Sequence, residues 1–228
     1  MPNVGLVSTV VRAVRREPSA ALLFVQLAGL LLYPFVDENA GGRAVLNLVG
    51  IAILWLVLLT VARSPASTRL GLAFGVPAAV LLLAGAVSRS DTLTPYASAL
   101  EAALYLYAAG ALIAYVLRDH EVTRDELFAV GATFTLVAWA FAHAYVVCQA
   151  VYPHSFLSSA SAGATRSWLD LLFLSVTTLT SVGLSDIAPV RPVARAVVML
   201  EELAGVAYVA MLVSRVVGLT VMHRDRGA

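Results

Sequence analysis

The sequence predicts an all-α membrane protein: six transmembrane helices plus a re-entrant pore helix and loop, arranged as a four-helix N-terminal bundle followed by a two-helix module. Three observations predict it. The chain has 228 residues, 60% hydrophobic and only 13% charged, with mean hydropathy +0.87, a composition of bilayer-embedded chains rather than soluble cores. Six apolar runs, each near the ~20 residues a spanning helix needs, are separated by short polar loops. Between the last two runs lies Ser175 to Asp186, too polar and too interrupted by Gly183 to cross a bilayer. Irregular backbone at membrane depth survives only where protein buries it or where it lines water, so a re-entrant loop lining a pore is the direct reading.

The elements follow in order. Residues 1–18 carry Arg12, Arg15 and Arg16 and read as a cytoplasmic topology anchor, with an amphipathic lipid-binding helix as the alternative. The first span covers about Ser19 to Val36, with Asp37-Glu38 and Gly41-Gly42 as the turn, and the second about Arg43 to Ala62. The third runs from about Leu70 to Val87, with Pro77 removing a backbone donor in its middle. The fourth runs from about Thr94 to Leu117. Thr123 and Glu126 stand three apart, a capping box that starts the fifth span near Arg124 and carries it to about Val151. Ser155 to Thr165 reads as an exposed turret. Ser167 and Asp170 repeat the capping pattern and start a half-helix over 168–179, with an extended segment from Ser181 to Asp186. Pro189 and Pro192 shape the exit into the sixth span, about Val193 to Val221, and 223–228 read as a cytoplasmic tail with no ligand-binding domain fused to it.

All 15 basic residues are arginine. With both termini inside, Arg12, Arg15, Arg16, Arg63, Arg69, Arg118, Arg124, Arg215, Arg224 and Arg226 face the cytoplasm, against Arg43, Arg89, Arg166, Arg191 and Arg195 outside. That asymmetry supports six spans with the loop entering from outside. A net charge of +1 argues against a nucleic-acid partner, and the lone Cys148 excludes an intrachain disulfide. No His/Cys/carboxylate spacing suggests a metal site, and no cofactor is implied.

Thr178, Leu179, Thr180, Ser181, Val182, Gly183, Leu184, Ser185 and Asp186 resemble the potassium-channel signature Thr-x-Thr-Thr-Val-Gly-Tyr-Gly-Asp. Leu184 replaces the tyrosine and Ser185 the second glycine. The likeness extends over Thr123 to Phe156 and Phe173 to Gly218, including Leu200-Glu201, Gly205, Tyr208 and Leu212 to Gly218, and is to a bacterial six-span potassium-channel-like family. The first four spans match only in number and length. The resemblance implies residues 1–122 as a voltage-sensor-like domain, 123–222 as a pore domain with its selectivity filter at 180–186, and a homotetramer in the bacterial plasma membrane in contact with lipid. It implies a monovalent cation, K+ or another, held by the hydroxyl of Ser181 and carbonyls of Val182, Gly183 and Leu184. Asp186 would ring the outer vestibule, or else serve as a turn residue. A left-handed Ser185 would cost roughly 1–2 kcal/mol, so the outer filter either carries that strain or takes another path. With the tyrosine tether also lost, a softer mouth and weaker potassium preference are expected.

Gly205 reads as a gating hinge or as a place of close helix packing. Glu201 is expected to brace the filter from behind, against Arg195 or a loop hydroxyl, with Glu202 near the interface. Arg215 snorkels to the headgroups. The fourth span holds Glu101 and no arginine, so steep voltage sensing is not expected of it. Glu101 and His143 read as hydrogen-bonded interior groups. The expected function is passive cation conduction, with a non-conducting scaffold or sensor of the same fold as the alternative. An enzyme or carrier would need a nucleophile–base pair or an inverted repeat, and the sequence offers neither.

Overall fold

A computed structural model describes residues 17–36, 40–63, 67–88, 91–118, 123–158 and 165–226. The expected arginine anchor, the Asp37-Glu38 turn and residues 159–164 lie outside the described residues. The helices are α1 (Pro18–Val36), α2 (Ala40–Arg63), α3 (Thr68–Ser88), α4 (Thr94–Val116), α5 (Arg124–Val151), α6 (Trp168–Leu179) and α7 (Pro192–Arg226). A 3-10 turn, Asp91–Leu93, leads into α4, and two short strands, β1 (Phe156–Ser158) and β2 (Ile187–Pro189), flank α6 in sequence.

Local signals set most boundaries. Glu126 N–H donates to Thr123 Oγ1 at 3.3 Å, and α5 starts at Arg124. Pro77 is accommodated inside α3. Gly41 and Gly42, expected in a turn, lie instead in the first turn of α2, and α7 continues through the expected tail to Arg226. Among the described residues four helical stretches are long and apolar enough to cross a membrane: Thr68–Gly85, Thr94–Val116, Arg124–Val151 and Pro192–Arg215. Pro18–Tyr33 and Ala52–Ala62 are shorter apolar helices. Phe24, Trp55 and Leu203 are each more than 60% exposed, a pattern that suits lipid as the surrounding medium.

The chain divides into two compact units, Met1–Ala140 and Phe141–Ala228. In the first, α1 packs on α2, and α2 and α3 pack with α4 around Leu22, Ile53, Val57, Leu104, Tyr105 and Leu112. Ser19 ties the start of α1 to the first turn of α5, donating from its N–H to Asp125 Oδ1 (3.2 Å) and from its hydroxyl to Oδ2 (3.0 Å). The second unit has its own core of Tyr145, Phe156, Leu171, Leu174, Ile187, Ala194 and Val198. There α6 lies against α7, and β1 pairs with β2 antiparallel, Phe156 opposite Pro189 and Ser158 opposite Ile187. This ribbon corrects the expectation of an exposed turret from Ser155: Ser155, Phe156 and Ser158 are buried.

Two glycines allow close helix approach, with different consequences. A Cβ on Gly205 of α7 would meet the main chain of Leu179, its carbonyl carbon at 2.9 Å and Cα at 3.2 Å. A Cβ on Gly131 of α5 would meet only the Leu23 side-chain tip, Cδ2 at 2.9 Å. A rotamer change clears the second clash, whereas the first requires a helix to move. Gly205→Ala should therefore destabilise by about 1–3 kcal/mol, while Gly131→Ala stays within about 0.5 kcal/mol of wild type because alanine's helix preference offsets the contact. Thermal unfolding of the two purified variants checks this.

Candidate functional site

The site grows from the two ends of α6. At its start, the Ser167 hydroxyl accepts from Asp170 N–H (3.2 Å) and the Asp170 carboxylate accepts from Ser167 N–H (3.0 Å). That reciprocal capping box places the first turn at Trp168. The approach is fixed to α5 by Gln149, whose amide nitrogen donates to the Arg166 carbonyl (2.9 Å) and whose amide oxygen accepts from Arg166 N–H (3.0 Å).

At the other end the helix stops by a Schellman arrangement. Ser181 N–H donates to the Thr178 carbonyl (2.8 Å) and Val182 N–H to the Thr177 carbonyl (2.9 Å), with Ser181 left-handed at φ 57°. Gly183 N–H also reaches the Thr177 carbonyl, at 3.1 Å, and Gly183 is left-handed too, at φ 66°. Thr180 and Ser181 thus form a turn, residues 182–185 have no regular structure, and the expected extended segment is interrupted by the left-handed Gly183. Of the two alternatives at Ser185, the loop takes the other path. Ser185 is not among the positive-φ residues, and Ser181 is, because the helix must be capped there. A non-glycine in this region costs roughly 1–2 kcal/mol, which the two capping bonds offset.

Beyond the cap, Val182 and Leu184 are 56% and 74% exposed. Thr180 is exposed, with its hydroxyl on the Val176 carbonyl (2.7 Å). Ser185 Oγ accepts from Ile187 N–H (3.1 Å), a local turn at the head of β2. Asp186 Oδ2 accepts from the Ser158 hydroxyl at 2.6 Å. Its partner is thus on β1 rather than on its own backbone.

Behind α6, the fully buried Glu201 of α7 accepts from two hydroxyls, Tyr145 of α5 on one carboxyl oxygen and Ser175 of α6 on the other. The bracing partner expected in Arg195 is not used: Arg195 Nε donates to the Pro189 carbonyl (3.2 Å). Glu202 is exposed. One turn after Glu201, Gly205 receives the C-terminal end of α6, so close packing is the role its surroundings display. Sequence reasoning missed Tyr145, Ser175 and Ser158. The only available signal was the presence of hydroxyls on otherwise apolar helix faces, which names no partner. Among the described residues no group of His, Cys and carboxylates could hold a metal ion. What the arrangement offers chemically is main-chain and hydroxyl oxygen on an exposed loop, held from behind and from one side.

The protein family described as ion channel matches residues 131–221. Protein LctB of Geobacillus stearothermophilus is 36% identical over 116 residues, which cover 50% of this chain and 83% of LctB. No solved structure matches the chain.

The Glu201 cluster makes a quantitative prediction. Tyr145→Phe and Ser175→Ala should each cost about 0.5–2 kcal/mol, the range for hydrogen bonds between membrane helices. The double variant should cost less than the sum, because both hydroxyls serve one carboxyl group. A double-mutant cycle on thermal unfolding measures the coupling.

Proposed function

The chain belongs to the ion channel family, and we propose that four copies of it surround a shared axis and pass monovalent cations, K+ foremost, along the stretch Thr180 to Asp186. The observation that carries this reading is the loop itself. It leaves a capped half-helix through two left-handed residues, and residues 180–184 are exposed on their own chain, as a surface completed by other copies would be. A dehydrated cation needs replacement oxygens, and Ser181, Val182, Gly183 and Leu184 are the residues that would supply them. The C-terminal end of α6 leads into this stretch, and its partial negative charge favours a cation.

In this reading six spans cross the bacterial plasma membrane with both termini inside, α1–α4 form the 1–122 domain and α5 to α7 the 123–222 pore module. Asp186 contributes negative charge to the outer vestibule. Leu184 and Ser185 weaken potassium preference, because neither supplies what the resembling signature has at those positions. No arginine lies in α4, so opening owes little to membrane voltage. Gly205, pinned against Leu179, is where any movement of α7 is transmitted to α6.

Purified protein in liposomes should release K+ down its gradient, with Na+ passing more than about tenfold more slowly, a preference weaker than the full signature would give. Leu184→Tyr combined with Ser185→Gly should raise the K+/Na+ permeability ratio by about tenfold, equivalent to 1.4 kcal/mol of differential binding. Intact tetramers that pass neither ion would favour the scaffold reading, and an unchanged ratio in the double variant would reject the role given to Leu184 and Ser185.

A further inference from the structure

We propose that Ser158 is a positioning residue for the conducting stretch: from β1 its hydroxyl holds the Asp186 carboxylate and so fixes the outer end of residues 182–186. The inference rests on the channel reading above, and extends it to a residue outside the signature. The inner end of the stretch is already fixed, since Val182 and Gly183 N–H both bond to Thr177 on α6. No backbone hydrogen bond among the described residues holds Leu184 or Ser185. Ser185 Oγ accepts only the local Ile187 N–H (3.1 Å), and the bond that ties this end to another element is Ser158–Asp186 at 2.6 Å, within the short range of hydroxyl–carboxylate pairs.

Ser158 is in turn held in place. It is buried, and it pairs with Ile187 across the ribbon, one residue beyond the carboxylate it holds. Val190 N–H donates to the Ser155 carbonyl (2.9 Å), extending the pairing. Ser155 Oγ donates to the Tyr152 carbonyl (2.6 Å) at the end of α5. Phe156 is buried edge-on against Tyr145, with ring centroids 5.1 Å apart. Tyr145 is the residue whose hydroxyl serves Glu201. One tyrosine therefore backs both the support behind α6 and the strand that holds the outer end. A cation site built from carbonyl oxygens discriminates only while those oxygens keep their spacing. Releasing Asp186 frees Leu184 to drift and leaves Ser185 held only by its local bond to Ile187 N–H.

The test compares Ser158→Ala and Ser158→Thr with wild type, using the full chain in liposomes and in detergent. In liposomes, Ser158→Ala should shift the K+/Na+ permeability ratio about tenfold toward unity, the effect of losing one charge-assisted hydrogen bond, while Ser158→Thr, which keeps the hydroxyl, stays near wild type. In detergent, amide hydrogen exchange of Ile187, whose N–H is held by Ser185 Oγ, should speed up by about tenfold in Ser158→Ala and not in Ser158→Thr, with α6 protection unchanged in both. Exchange and permeability both insensitive to Ser158→Ala, or a Ser158→Thr variant as impaired as the alanine one, overturns the proposal. A wild type that passes no ion but shows hydroxyl-dependent exchange removes the channel reading and leaves the tether standing.

Discussion

A carboxyl group buried among apolar helices has to find donors, and Glu201 finds them on two different helices. That requirement organises the second unit. Losing either hydroxyl leaves a buried acceptor short of a partner, which costs more than the bond itself contributes. Satisfying both at once allows one registration of α5, α6 and α7. The same registration brings Gly205 under Leu179, where only a missing side chain permits the approach. The half-helix is thus located by a polar pair on one side and by a steric allowance one turn further along.

From this fixed helix the loop inherits its path. The carbonyls of Thr177 and Thr178 would be orphaned at a helix end, and the chain turns left-handed at Ser181 to satisfy them. The left-handed residue is therefore dictated by the need to close α6. A serine takes the position where glycine is usual, and the two bonds gained make that tolerable. The residues that follow are exposed on the isolated chain, which is the state required of a surface that ions and sister subunits would complete.

Much of this was readable in the sequence where the physics is local. Both capping boxes, Thr123 with Glu126 and Ser167 with Asp170, involve residues three apart, and the starts of α5 and α6 fall where they predict. The long apolar runs likewise announce their helices. What was not readable is pairing across distance. Tyr145 lies 56 residues from Glu201, Ser175 lies 26 from it, and Ser158 lies 28 from Asp186. A serine or tyrosine on an apolar face has many possible partners, and the choice is made by packing. The ribbon was hidden for a related reason: three-residue strands carry too little alternation to register, and the turret's small polar residues look like any loop. Of the two paths open at Ser185, strain or another route, the chain takes the other route, because capping α6 sets the positive φ at Ser181 instead.

The length of α7 has a mechanical consequence. Its 35 residues exceed the ~20 that suffice to span hydrocarbon. From Gly205 to Arg226 the helix runs about 31 Å at ~1.5 Å per residue. With α7 pinned at Gly205 by the Leu179 contact, the longer part of the helix beyond it acts as a lever arm. A tilt of about 5° at the fulcrum carries its far tip roughly 3 Å sideways, given that arm length. A pull at the tip returns to the fulcrum as torque against the oxygen-bearing turn.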